Sequence, residues 1–266
     1  MDSWRERSCR HLWHRRLNNT YRYLRELSHK EFRQRPTTKT FFDIYEPEWT
    51  CPYEERIGPH LVNIGDGPKF LCAPHMLKSG LVYSIGSANQ FSFERGIRRS
   101  CFNCKIHTFD GTVGNPKVPT ALRGLSFHSW NIASEPSNGS KVISKSPKET
   151  LAEVHGTPNV TLEVLKMDCE GCEFEVLPRL LELAPSKQVL VEIHRKKSFA
   201  ALRGLLRFMR RHGYLIFHKE RNSWGCSGHS CVEYAFISIA HAYRVFRKEL
   251  CGIASTTAAD EWTEGG

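Results

Sequence analysis

The sequence predicts a doubly wound α/β sheet, and three observations carry that prediction. Short apolar runs alternate with helix-spaced amphipathic segments across residues 81–250. Small or acidic residues stand at the carboxyl ends of successive runs: Gly86, Asp110, Asp168 and Glu192. The last two runs, Tyr214 to Glu220 and Cys231 to Ser238, are joined by a Gly/Ser/Asn loop, which reads as a closing hairpin with a terminal antiparallel strand.

The 266 residues fit one large domain with appendages. An apolar share of 40% and six Trp suffice for a core, and no apolar run approaches the ~20 residues that span a bilayer. Four segments follow from composition: a basic helical arm over 1–35, an irregular Pro/Cys-rich lead-in or cap over 36–80, the main domain over 81–250, and a polar tail over 251–266 expected to be disordered. The N-terminus is basic without an apolar h-region, so no cleavable signal peptide is expected in it.

The arm shows Trp13, Leu17, Tyr21, Leu24 and Leu27 at helical spacing. The first core strand is Leu81 to Ile85, followed by the small-residue turn Gly86-Ser87-Ala88 and a helix through Phe93. This arrangement aims backbone N–H groups at whatever sits beyond the strand tip. Lys105 to Asp110 is a second strand, with its acid 24 residues after Gly86. A carboxylate there can take both hydroxyls of a ribose; the bland alternative is a cap on the turn Asp110-Gly111-Thr112. Leu125 to Ile132 reads as a third strand with Trp130 in the core, and Asn131 offers an amide that could flank an adenine. A short helix is expected over Lys148 to His155.

Val164 to Met167 is an apolar strand that ends in Asp168-Cys169-Glu170-Gly171-Cys172-Glu173 and opens an amphipathic helix. Carboxylates gathered at a strand tip are costly unless they face a cation, an amine or a sulfonium. Helix-dipole stabilisation accounts for Glu170 and Glu173 better than for Asp168. Gln188 to His194 is the next strand and ends in Glu192 and His194, the second a candidate base. A basic helix over Ala200 to His212, stopped by Gly213, and a last helix over His241 to Leu250 complete the chain.

Charge and cysteine bound the partners. Met1 to Arg35 carries ten Lys/Arg against four Asp/Glu, and Arg195 to Arg221 nine against one. Such segments suit nucleic acid, an anionic membrane surface or an anionic glycan, or else are solvated helix faces. The pairs Cys101/Cys104 and Cys169/Cys172 lie too far apart for a zinc ribbon, so no metal is expected. Buried free thiols are the expectation for the ten Cys, with a cytoplasmic location ahead of the secretory lumen; disulfides, and the sequons at Asn18, Asn138 and Asn159, matter only in the second case.

Taken in order, GLVYSIGSANQFSFE, KIHTFDGT, LKMDCEGCEFEVL, VLVEIH and VEYAFI resemble class I S-adenosylmethionine-dependent methyltransferases, closest to the FkbM-like, methyltransferase-like branch. Asp168 to Glu173 carries the branch's D-x-E-G-x-E signature; the G-x-G-x-G loop is reduced to Ser84, Gly86 and Ala88. The resemblance covers about residues 50–240. It implies a Rossmann-like sheet and S-adenosylmethionine over Ser84, Gly86, Ser87, Ala88, Asn89 and Phe91, with the ribose on Asp110, Asn131 near the adenine and Asp168 near the methionine end or acceptor. Asp168, Glu192 and His194 are the implied catalytic residues, and relatives point to O-methylation of a sugar or small molecule. An NAD-dependent oxidoreductase is disfavoured by the missing glycines. No Asn-Pro-Pro-aromatic tetrapeptide of amino-methylating enzymes is present. A catalytically silent module docking polyanions through its basic segments is the alternative.

Overall fold

The computed structural model describes residues 4–33, 36–58, 68–138, 142–157, 159–223 and 226–253. The chain begins with α1 (Trp4–Arg33), β1 (Glu54–Ile57), β2 (Lys69–Cys72), β3 (Ser79–Ile85), α2 (Ser92–Ser100) and β4 (Asn103–Phe109). It continues through β5 (Ser126–His128), β6 (Asn131–Ile132), β7 (Ser137–Asn138), β8 (Ile143–Lys145), α3 (Pro147–His155) and β9 (Leu162–Met167). It closes with α4 (Glu173–Leu183), β10 (Ser186–His194), α5 (Phe199–Arg211), β11 (Tyr214–Arg221), β12 (Cys231–Ser238) and α6 (Ile239–Glu249). The expected tail beyond residue 253 lies outside the described residues.

Seven strands form the central sheet in the order β11-β12-β10-β9-β3-β4-β5. β10, β9, β3, β4 and β5 run parallel, while β12 is antiparallel to β10 and to β11. This is the mostly parallel Rossmann-like sheet with a terminal antiparallel strand that the sequence predicts, and that strand, β12, lies between β10 and the edge strand β11. From β3 the chain steps outward to β4 and β5, then returns to β9 on the other side of β3. That reversal opens a crevice at the carboxyl ends of β3 and β9.

The period of two along each strand sorts the core into two layers. Val82, Val164 and Leu190 pack with Phe93 and Ile97 of α2, Trp13 of α1 and Phe246 of α6. The neighbouring Tyr83, Leu165, Val189 and Val191 pack with Leu151 of α3, Leu177 and Leu180 of α4 and Leu206 of α5. The sheet is therefore covered on both faces, which fixes its register.

Four expectations need correction. First, the lead-in is not wholly irregular: β1 and β2 pair antiparallel, and β2 packs against β10 and β12. Apolar Phe70, Leu71 and Cys72 outweigh the local Pro signals once they have a sheet to lie on. Second, Leu125 to Ile132 is not one strand, because β5 joins the main sheet whereas β6 joins a small separate one with β8 and β7; Trp130 is half-buried, with the Lys145 ammonium 3.8 Å from its ring centroid. Third, no free thiol is present: the disulfides are Cys9–Cys251, Cys51–Cys72, Cys101–Cys104, Cys169–Cys172 and Cys226–Cys231.

Fourth, the basic stretch from Arg195 to Arg221 is largely neutralised. Arg207 and Arg210 each lie 3.1 Å from buried Glu31 of α1, and Arg210 also binds Glu48 at 2.8 Å. Lys196, Lys197, Lys219 and Arg221 pair with Glu170, Glu175, Glu46 and Asp43. These acids lie in segments distant in sequence, so the local charge excess did not reveal them. The arm is fastened as well: Trp13 packs 5.4 Å from the rings of Tyr243 and Phe246, and Glu6 meets Arg247 at 2.8 Å. No helix among the described residues is long and apolar enough to cross a membrane.

Candidate active site

A cavity of about 510 Å³ opens at the β3/β9 crevice. Backbone hydrogen bonds tie the strand tips beneath it: Gly86 N–H to Phe109 O at 2.9 Å, Asp168 N–H to Ile85 O at 3.0 Å and Asp110 N–H to His128 O at 3.0 Å. Gly86 has φ +77°, and a Cβ there would overlap the Asp168 carbonyl oxygen. Only glycine lets the first turn and the Asp168 loop lie this close.

Of the residues singled out from sequence, Gly86, Ser87, Ala88, Asp110, Asn131, Asp168, Glu192 and His194 line this cavity. Three others do not. Ser84 is buried within β3, Phe91 is buried against Phe127, and Asn89 turns its Oδ1 outward to accept from Lys117 N–H at 2.8 Å. Phe91 and Asn89 each have a packing or turn-holding partner that local spacing could not reveal.

Asp110 holds the first turn. Its Oδ2 accepts from Ser87 N–H at 2.9 Å and Ala88 N–H at 2.7 Å, and its Oδ1 accepts from Thr112 N–H at 2.9 Å and the Thr112 hydroxyl at 2.6 Å. Burial opposes the charged form, but these donors outweigh it and hold the carboxyl below its usual range. Asn131 Oδ1 accepts from Gly111 N–H at 2.8 Å, which braces the next turn.

The opposite wall is ionic. Lys69 of β2, 1% exposed at its side chain, places its ammonium 3.5 Å from Asp168 Oδ2 and in direct contact with Glu233 Oε1 on β12. Glu233 is the register partner of Glu192 across β10 and β12. Asp168, Glu192 and Glu233 bring oxygens within 4.8 Å of one another, and the Lys69 ammonium is the cation that meets two of them. Burial disfavours the Lys69 charge, yet Glu233, Asp168 and Glu192 more than restore it. Asp168 is part-buried, which opposes its charge, but Lys69 and then Lys166 hold it down at about 2. Glu192 is pushed up to about 8 by burial and by repulsion from Asp168 and Glu233. Its Oε1 accepts from Asn222 Nδ2 at 2.8 Å. Lys166 donates to Ile85 O at 3.2 Å and to Gly86 O, closing the cavity floor.

Glu173, fully buried at the start of α4, fixes His194. Its Oε1 accepts from His194 N–H at 2.7 Å and lies 3.4 Å from His194 Nδ1, while its Oε2 accepts from Gly171 N–H at 2.7 Å. Glu192 Oε2 is 3.7 Å from His194 Nε2. Burial alone would lower the imidazole pKa; the carboxylates of Glu173, Glu192 and Asp168 outweigh it and raise the value above 6.5. This group therefore stabilises the fold fully below pH 6.5, and that contribution fades as pH rises through the raised value. NMR titration of the His194 ring is expected to give a midpoint above 6.5, and Glu173→Gln to bring it down. An unchanged midpoint in the variant would remove Glu173 from this account.

Lys69, Lys166, Asn222 and Glu233 were missed from sequence. The available signal was a single charged residue inside an otherwise apolar strand, Lys69 in KFLC and Glu233 in CVEYAFIS. Such a residue is expensive unless paired.

A family model described as a methyltransferase domain matches residues 4–238. The chain belongs to that methyltransferase-domain family. The match does not single out the FkbM-like branch. No curated protein matches the chain. Among solved structures it is similar to the fibrillarin pre-rRNA processing protein of Methanococcus jannaschii, at 12% identity over 62% of this chain and 68% of that one, TM-score 0.34. It is also similar to an O-methyltransferase from Bacillus cereus in complex with SAH, at 9% identity over 60% and 74%, TM-score 0.38. A third is M. jannaschii TYW2 in complex with AdoMet, at 12% identity over 62% and 72%, TM-score 0.31.

Proposed function

We propose that this methyltransferase-family chain uses S-adenosylmethionine to methylate a hydroxyl group of a sugar or small molecule. The observation that carries the reading is the two-sided cavity at the β3/β9 crevice. One wall offers the Gly86–Ala88 turn, Asp110 and Asn131; the other offers Asp168, Glu192 and His194. Its volume of about 510 Å³ is ample for a nucleoside-sized ligand. The residues fit the cofactor chemically, because the Asp110 carboxylate and the Asn131 amide suit the nucleoside half and an ionised carboxylate suits a cationic amino acid end.

When bound, the cofactor supplies an electrophilic methyl group on a sulfonium. Asp110, which keeps the first turn in shape and already accepts from the hydroxyls of Thr112 and Ser87, would hold a ribose diol. Asp168, ionised against Lys69, favours positive charge in the cavity. His194 Nε2 takes the acceptor's proton, and Glu173 steadies the imidazole from the Nδ1 side. Since His194 titrates above 6.5, transfer rises with pH through that value as the neutral base accumulates. Positioning supplies the larger share of the rate. The test is incubation with methyl-labelled S-adenosylmethionine and a panel of hydroxylated sugars. Label in base-stable methyl ethers supports the reading; label only on amines or thiols refutes the oxygen acceptor.

Five disulfides and no free thiol support residence in an oxidising compartment. Alkylation of the native protein, denatured without reductant, is expected to label none of the ten Cys. Several labelled Cys in protein taken from its own cells would refute the compartment.

A further inference from the structure

We infer that Asn159 is an N-glycosylation site, the acceptor for an oligosaccharide carried on a lipid-linked pyrophosphate donor. The inference rests on the oxidising-compartment reading, since transfer of this kind occurs where such disulfides form. Three sequons occur in the chain, and the structure distinguishes two of them.

Asn159-Val160-Thr161 lies in the irregular stretch between α3 and β9. Gly156, at φ +71°, ends α3, and no helix or strand claims Asn159 to Thr161 ahead of Leu162. The side chains of Asn159 and Thr161 are exposed, and the Asn159 backbone N–H donates to Thr157 Oγ1 at 3.3 Å. Both groups that a sequon must present, the amide and the hydroxyl two residues on, therefore face solvent in an unpaired segment. Asn18-Asn19-Thr20 differs. It sits inside α1, and Thr20 is 7% exposed with its hydroxyl donating to Glu48 O at 3.1 Å. Residues 139–140 of the third sequon lie outside the described residues.

The position is also compatible with the cavity. Asn159 precedes the amino end of β9, whereas Asp168 follows its carboxyl end. Six strand residues, roughly 20 Å, separate the glycan from the site. In the transfer, Asn159 Nδ2 forms a bond to the anomeric carbon of the first N-acetylglucosamine. The bond from that carbon to the pyrophosphate oxygen breaks, the lipid pyrophosphate leaves, and Nδ2 gives up one proton.

The test directs the chain into the endoplasmic reticulum of cultured cells behind a cleavable leader. Protein is collected from cells and medium, deglycosylated by amidase in ¹⁸O-water and mapped by mass spectrometry. Asn159 is expected as ¹⁸O-labelled aspartate in most molecules. Asn159→Gln is expected to remove the corresponding mobility shift while keeping all ten Cys oxidised. An unmodified Asn159 in chain that has entered the lumen, or modification confined to Asn18, would overturn the assignment. The compartment reading fails separately, through free thiols in protein from its own cells.

Discussion

Replacing Lys69 by Met is expected to cost about 3–5 kcal/mol of folding stability, the range for removing one partner of a buried ion pair. The side chain is 1% exposed and its ammonium touches Glu233 while standing 3.5 Å from Asp168. Methionine fills much of the space but leaves Glu233 and Asp168 facing each other, with Glu192 beside them. Urea denaturation would read the loss. A double variant, Lys69→Met with Glu233→Gln, should recover part of it, because the residual repulsion is relieved. Equal losses for the single and double variants would mean that the ammonium does not hold these carboxylates together.

Asp110→Ala should weaken S-adenosylhomocysteine binding at least about tenfold, or about 1.4 kcal/mol. The carboxylate accepts from the backbone of Ser87, Ala88 and Thr112, so it shapes the turn that would receive the nucleoside. Its loss leaves those N–H groups without a partner at a partly buried site, each worth about 1–3 kcal/mol. Asp110→Asn retains one carbonyl acceptor and is expected to fall between the two. Calorimetry on both variants checks the order, and unchanged affinity in Asp110→Ala would separate this residue from the cofactor site.

The tips of β3, β4, β9 and β10 were legible because a parallel strand reads as an apolar run: Gly86, Asp110 and Asp168 directly follow β3, β4 and β9, and Glu192 stands near the end of β10, which runs on to His194. Sequence separation hid the rest. Lys69 stands 99 residues from Asp168 and 164 from Glu233, so only tertiary structure brings them together. Glu173 reads locally as a helix-start acid, and its hold on His194 spans 21 residues. The cysteine connectivity was likewise closed to sequence, since ten Cys admit many pairings. The Arg207 and Arg210 charges look free until Glu31 of α1 folds against them. The role of Asp110 was half legible. The spacing placed it beside the Gly86 turn, but the structure adds that its oxygens already serve that turn.

On the proposed function, the β3/β9 cavity takes S-adenosylmethionine. Isothermal titration of the folded, disulfide-intact chain with S-adenosylhomocysteine tests it most directly, with NAD⁺ as the control ligand. Saturable micromolar binding at one site per chain is expected, with no heat from NAD⁺. No binding of S-adenosylhomocysteine by the folded protein would contradict it.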